Sequence, residues 1–238
     1  MIPWGDAMLV SCHDLRFGWD EGDAIVLDSF SVARGERIFV RGPSGSGKSS
    51  LLGLLAGVLV PRSGHVRIEE TIVSSLSASA RDRFRADHIG YVFQQFNLLP
   101  YLSVLDNVLL GCAFSLRRQR RAGGSLVVRQ EAARLLAALG IGDARMYERR
   151  VTELSVGQQQ RVAAARALIG GPTLLLADEP TSALDTDARD AFLRLLLLEC
   201  DRAGAGLVFV SHDIGLARYF DRVVELSGPS QRAAPCAS

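Results

Sequence analysis

The chain has 238 residues, 48% hydrophobic and 22% charged, with a net charge of +1 at neutral pH. This composition supplies one large α/β domain or a core with an inserted subdomain, and its near-neutral charge gives no reason to expect nucleic acid as the main partner. The longest apolar run, residues 51–60, falls well short of the ~20 residues needed to span a bilayer.

Residues 8–19 read as a strand and its exit, residues 20–23 as a polar turn and residues 24–32 as a second strand. A turn at Gly35-Glu36 precedes the apolar triplet Ile38-Phe39-Val40. That triplet feeds GPSGSGKS, Gly42 to Ser49, which fits G-x-x-x-x-G-K-[ST] at every fixed position. Glycines let such a loop curl so that successive N–H groups converge on a phosphate chain. The apolar helix expected over residues 50–58 adds the positive end of its dipole. Lys48 can reach the β/γ-phosphates and the Ser49 hydroxyl can take a place on Mg²⁺. Lys48 is also the only lysine; every other basic side chain is arginine.

A short strand is expected over residues 65–68, an amphipathic helix capped by Ser77 over residues 77–87, and a strand over residues 89–93. Gln94 and Gln95 end that strand, where α/β sheets place ligand-contacting residues and where exposed loops also occur. The apolar loop FNLLPYL, residues 96–102, leaves the sheet as a contact surface or as packing of a helical subdomain. Helices are expected over residues 103–116 and 125–139, the second stopped by Gly140. The basic run Arg117 to Arg121 between them reads as a solvated helix end, with anionic lipid head groups as the other reading.

LSVGQ, residues 154–158, pairs Ser155 with Gln158 in a capping-box spacing that opens a helix over residues 159–169. A helix N-terminus with a free Ser hydroxyl and a Gly is also a phosphate site. Since one phosphate loop already serves the nucleotide, a second would imply a nucleotide shared between two copies. The buried strand over residues 173–177 ends in Asp178-Glu179-Pro180. An acid at that strand end can hold a phosphate-bound Mg²⁺, and its neighbour can orient or deprotonate an attacking water. Asp185 reads as the cap of a helix over residues 187–201 or as a dimer contact. A strand over residues 207–210 ends in Ser211-His212, where the imidazole could donate to a γ-phosphate. A helix over residues 214–220, a closing strand over residues 222–226 and a disordered tail over residues 228–238 complete the chain. Trp19 is a core aromatic or a platform for a purine ring. The cysteines Cys12, Cys112, Cys200 and Cys236 form no CxxC pair and read as reduced thiols. The N-terminus, with Asp6 and no basic stretch, does not read as a signal peptide.

The succession of phosphate loop, Gln94, LSVGQ, LLLADEP, SALD and SH resembles the ATP-binding subunit of ABC transporters over residues 8–226. The segment IGYVFQQFNLLPYLSVLDNV is similar to the branch of lipoprotein-releasing, macrolide-exporting and cell-division ATPases (LolD, MacB and FtsE types). The resemblance implies an α/β P-loop NTPase core with a mostly parallel sheet, an N-terminal antiparallel β-subdomain and an inserted α-helical subdomain. It divides one domain, residues 1–227, into a core of 8–93 and 164–227 and a helical part of 94–163.

It implies ATP and Mg²⁺ as ligands. Trp19 would stack on adenine; Gly42, Ser44, Gly45, Gly47, Lys48, Ser49 and Ser50 would hold the phosphates. Ser49, Gln94 and Asp178 would serve the metal, Glu179 would be the catalytic carboxylate and His212 the γ-phosphate switch. Ser155, Gly157 and Gln158 would meet the γ-phosphate held by a second copy, with Asp185 at the seam. The implied partners are a homodimeric copy and an integral membrane permease, contacted from Phe96 to Asn107. The implied location is peripheral, on the cytoplasmic face of the membrane. Mechanical signalling through a membrane partner is the alternative task. A soluble relative acting on nucleic acid or ribosomes is disfavoured, since coiled coils, zinc cysteine pairs and a second fused unit are not seen. Val156 departs from the usual LSGGQ; a valine fits only if that position avoids positive φ.

Overall fold

The computed structural model describes residues 8–19, 22 and 24–226. The reading of residues 20–23 as a turn falls largely outside these residues, and that of the tail over 228–238 falls wholly outside them. Strands β1 (Met8–Phe17) and β2 (Ile25–Ala33) pair antiparallel, and β3 (Arg37–Arg41) runs into α1 (Lys48–Leu55). Strands β4 (Ser63–Ile68) and β5 (Thr71–Ile72) form a hairpin, of which the second strand is too short to show in the sequence. Then follow α2 (Ala78–His88), β6 (Ile89–Val92), α3 (Val104–Ala113), α4 (Leu116–Arg121) and α5 (Val128–Ala138). The chain closes with α6 (Val156–Leu168), β7 (Leu174–Asp178), α7 (Thr186–Ala203), β8 (Gly206–Val210) and β9 (Arg222–Glu225).

Two sheets result. One is antiparallel in the order β2-β1-β4-β5; the other has the order β6-β7-β8-β3-β9 and all its pairs are parallel. The parallel strands read as continuous apolar runs because both of their faces are covered. Side-chain alternation then splits them between two cores. Ile38, Val40, Leu174, Leu176, Val208 and Val210 pack with α1 and the antiparallel sheet. Phe39, Leu175, Ala177, Leu207 and Phe209 face the other way, against the helices. Phe39 and Phe209 stack across β3 and β8 at 6.2 Å.

Three expectations fail locally. The helix expected over residues 103–116 ends at Ala113, because Ser115 caps a new helix by accepting from the Arg118 N–H and also hydrogen-bonds Asp87. The next helix starts at Val128 and not at Ser125, since Gly123 and Gly124 take positive φ and a turn intervenes. Residues 214–219 form a 3-10 helix capped by Asp213 in place of an α-helix.

The largest correction concerns the basic run. It is not a solvated helix end throughout: Arg118 is 3% exposed. Its guanidinium donates to the carbonyl of Ala167 at 2.6 Å, to that of Ile169 at 2.9 Å and to that of Ile89 at 3.4 Å. It therefore satisfies carbonyls that the C-terminus of α6 leaves unpaired, in the favourable direction of that helix's dipole. Burial lowers its pKa to about 10, which leaves it charged at neutral pH.

Arg118→Ala strands these carbonyls in the interior. We predict a loss of about 3 kcal/mol, a fall in Tm of about 6–12 °C at this chain length. Arg120→Ala, on an exposed side chain, should leave Tm within a degree or two. Equal, small effects in the two variants would contradict the assignment.

Candidate functional site

The site forms where the parallel strands end. Val210 of β8 pairs with Val40 of β3 on one side and with Asp178 of β7 on the other, so these three strand ends lie in one row. The segments that leave them start side by side: Gly42–Ser49 after β3, Glu179 after β7 and Ser211-His212 after β8. This is the carboxyl edge, where open α/β sheets bind ligands.

The loop after β3 has little freedom. A Cβ on Gly42 would lie 2.5 Å from the Leu226 carbonyl oxygen and 2.5 Å from the Ser46 hydroxyl. Gly47 takes φ 91° and passes within 2.9 Å of the Ala24 carbonyl oxygen as measured from an added Cβ, so any side chain there is excluded twice over. Gly47 is the N-cap of α1, and no side chain occupies the first free N–H groups of that helix. Lys48 is 7% exposed and its ammonium donates to the carbonyls of Gly42 at 2.9 Å and Pro43 at 2.8 Å. The Ser46 hydroxyl is buried without a partner. Ser44, Gly45 and Ser49 are exposed along the loop and Ser50 is half-buried. Uncapped N–H groups, a fixed ammonium and a curled backbone fit a polyphosphate.

Asp178 supplies the opposite charge. Burial pushes its carboxyl above the ordinary aspartate range, while a hydrogen bond with Ser49 and the charge of Lys48 pull it down. A half-buried carboxylate beside a serine hydroxyl is a donor set suited to a hard divalent cation such as Mg²⁺. Glu179, next along, has φ 44°, a left-handed conformation that a glutamate rarely adopts. Its Oε1 lies 2.7 Å from the Nε2 of His212. Ser182, Leu184, Arg189 and Asp213 join this pair around a cavity of ≈ 190 Å³. That volume suits waters or a phosphoryl group and excludes a whole nucleotide.

Behind His212 lies a network the sequence did not announce. Arg189 bridges Asp190 and Asp213, and Arg218 and Tyr219 both reach Asp190. The Asp213 carboxylate also caps the 3-10 helix that follows His212. A second unannounced residue is Arg166. It donates to the carbonyls of Asn97 at 2.6 Å and Phe96 at 2.5 Å, clamping two residues that both take positive φ. The only sequence signal for it is an arginine within the alanine-rich stretch of α6.

The remaining candidates are more scattered. Trp19 is 69% exposed and meets Phe17 edge-on at 5.1 Å, so it is not a core aromatic. Gln94 is exposed in the turn after β6. Ser155 caps α6 and forms the complete capping box: Gln158 N–H donates to its hydroxyl at 3.3 Å and its own N–H donates to the Gln158 amide oxygen at 2.9 Å. Val156 is the first residue of α6 and does not take positive φ, which resolves its departure from glycine. Gly157 faces Leu184. Asp185 caps α7 by accepting from Ala188 N–H at 2.9 Å. Of residues 96–107, Val104, Leu105 and Asn107 are buried, and Asn107 spends its amide on the carbonyls of Leu99, Leu102 and Ser103. The surface available for contact is therefore confined to residues 96–102 with Ser103 and Asp106 at its margin.

The parallel sheet, the loop and the acid at the end of β7 define a P-loop nucleoside triphosphatase. The ABC transporter family profile matches residues 27–182. MacB of Burkholderia thailandensis, a macrolide export ATP-binding/permease protein, is 39% identical over 215 residues, which are 89% of this chain and 31% of that protein. The chain thus spans about a third of such relatives. The lipoprotein-releasing system ATP-binding protein LolD of Xanthomonas axonopodis pv. citri is 40% identical over 87% of this chain and 82% of its own. MJ0796 of Methanocaldococcus jannaschii, an uncharacterized ABC transporter ATP-binding protein, is 38% identical over 83% of both. The solved dimeric post-hydrolysis state of MJ0796 with ADP and Pi matches at a TM-score of 0.80 and 34% identity, covering 92% of this chain and 94% of that one. The chain belongs to the ABC transporter family, as an ATP-binding cassette and ATPase of it.

The folded state raises the Asp178 pKa, so the native protein holds that proton to higher pH than the unfolded chain. Stability therefore falls as pH rises from the ordinary carboxylate range through the raised value, and at pH 7 the ionised group is a cost. Asp178→Asn should raise Tm of the protein without nucleotide at pH 7 by a few degrees, about 2–4 °C per kcal/mol relieved. The gain should shrink toward the ordinary aspartate pKa. A destabilised variant with a pH-independent gap would contradict this.

Proposed function

We propose that this cassette hydrolyses ATP as a homodimer, with each nucleotide held between the loop after β3 of one copy and the N-terminus of α6 of the other, and that closure drives a membrane permease. The observation that carries the reading is the shared strand-end row that brings the phosphate loop, Asp178 and the Glu179–His212 pair to one edge. Lys48 and the loop N–H groups, with Gly42, Ser44, Gly45, Gly47 and Ser50 shaping the cradle, would bind the phosphates. Ser49, Asp178 and Gln94 would hold Mg²⁺, which supplies charge neutralisation on the phosphates. Glu179 would position the attacking water and accept its proton. His212, which lies 2.7 Å from Glu179, would release it and turn to the γ-phosphate. Trp19, exposed, is free to stack on adenine.

Ser155, Gly157 and Gln158 would cap the second copy's γ-phosphate, and Asp185 would lie at the seam. The MJ0796 cassette is solved as a dimer bound to ADP and Pi, which supports the dimeric reading. Among the described residues no helix is long and apolar enough to cross a membrane. LolD and MJ0796, which the chain covers over most of their length, are named as ATP-binding proteins. In our reading, which follows LolD, the permease is a separate subunit and this chain is peripheral on the cytoplasmic face. Its contact would be residues 96–102 and the adjoining groove of ≈ 760 Å³, walled by Tyr91, Phe93, Leu110 and Phe114. Arg166, which lines that groove and clamps the 96–97 backbone, would couple it to the site. An export task of lipoprotein, macrolide or peptide type is our reading, and the names of LolD and MacB support its first two members.

Glu179→Gln should retain ATP binding and lose turnover by about 10²–10⁴-fold, the range for losing a general base. From detergent-solubilised native membranes, the tagged variant with ATP and Mg²⁺ should retain a stoichiometric polytopic protein. Unchanged turnover would remove the role of Glu179. Retention of only soluble proteins would remove the permease.

A further inference from the structure

The segment 113–127 carries four arginines and no acidic residue. Its inner face is fixed: Ser115, Arg118 and Ala122 are buried, and Arg118 is held by the carbonyls described above. With that face inward, Leu116 and Arg120, one helical turn apart, point away from the core. The two most exposed large apolar side chains among the described residues, Leu126 at 92% and Phe114 at 82%, flank α4, and Leu116 at 69% opens it. Arg117 lies 3.3 Å from the Nε2 of His88, and none of Arg117, Arg120 and Arg121 forms an ion pair with a described carboxylate. Some other exposed arginines, among them Arg134, Arg145 and Arg218, are neutralised by Glu131, Asp143 and Asp190, and those left unpaired, such as Arg83 and Arg194, lie outside so dense a basic run. Here the positive charge is left over.

We propose that this segment docks on the head-group surface of an anionic phospholipid bilayer. Uncompensated guanidiniums meet anionic head groups, while Leu116 and Leu126 enter the boundary with the acyl chains. Each contribution alone is marginal; the two together make a reversible peripheral contact. Leu116, Arg120 and Leu126 are not among the residues that wall the groove beside β6; Phe114 is, and it is left to an occupant of that groove. The buried Arg118 makes the patch rigid, so little ordering opposes docking. The inference rests on this segment and not on the permease reading, and the two fail separately.

The test is flotation of the full chain, without other proteins, with phosphatidylcholine vesicles and with vesicles also containing phosphatidylglycerol. The chain should float with the anionic vesicles only and be released in about 1 M salt, where the Debye length is ~3 Å. Arg120→Glu and, separately, Leu126→Ser should each lower partitioning about tenfold. Leu116→Ser is a third, independent variant. ATP turnover, which involves none of these residues, should stay at the wild-type value and reports that each variant is folded. No flotation of the wild-type chain, or flotation that all three variants keep, overturns the proposal. So does a loss of permease co-purification in the variants without any vesicle binding by the wild type, which would assign the patch to a protein partner.

Discussion

One row of backbone pairing sets the rest of this structure. Val210 lies between Val40 and Asp178, so strands β3, β8 and β7 end level. A slip of one residue in any of them would do two things at once. It would exchange the core faces of a strand buried on both sides, sending Phe39 or Phe209 into the layer that holds α1. It would also displace Asp178 from Ser49 by a strand step of ~3.3 Å. The packing that fixes the fold and the spacing that builds the site are thus the same constraint. The two hydrophobic layers enforce it from above and below, with Ile38, Val40, Leu174 and Leu176 on one side and Phe39, Leu175 and Ala177 on the other.

Strain and unrelieved charge collect along the same edge. Glu179, Phe96 and Asn97 all hold positive φ, and each follows a strand of the parallel sheet. Such conformations persist only where surroundings over-determine them. Around Phe96 and Asn97 the determinant is the Arg166 guanidinium; around Glu179 it is the backbone bond to Val210 and the contact with His212. Asp178 adds a desolvation cost. The opposite edge is tied down by other means: Thr173 and His88 hydrogen-bond there, and Arg118 closes the end of α6 at a desolvation cost of its own. The loop side keeps the groups that a bound phosphate would satisfy.

The sequence carried the parts whose chemistry is local. A phosphate loop is a backbone shape written in glycines, a strand ending in Asp178-Glu179 is an apolar run with a polar stop, and Ser155 with Gln158 is a cap whose partners lie within one turn. All of these are legible because the interacting residues are neighbours in the chain. The mostly parallel sheet was legible too, through the family resemblance more than through periodicity, but its strand order was not. What stayed hidden depends on distant partners. Arg118 reads as solvent-facing in RRQRR, and only the carbonyls of Ala167 and Ile169, far along the chain, make it an interior residue. The break at Ser115 hides inside an apolar stretch that would continue as helix without Asp87 beside it. Arg166 and the Arg189–Asp213 network likewise join segments that no spacing rule connects. The permease contact was placed from Phe96 to Asn107 on the apolar loop and the family resemblance; the fold divides that stretch, giving the loop to the surface and Val104, Leu105 and Asn107 to the core.

In the proposed function the site is completed by a second copy of the chain. Sedimentation equilibrium of Glu179→Gln, with and without ATP, measures this directly. The account predicts a monomer of 25.7 kDa without nucleotide and twice that mass with ATP, and reversal of the dimer by Ser155→Arg, which fills the α6 N-terminus with a bulky side chain. A mass that stays monomeric at saturating ATP, or a dimer indifferent to Ser155, would contradict the shared site and leave each copy to work alone.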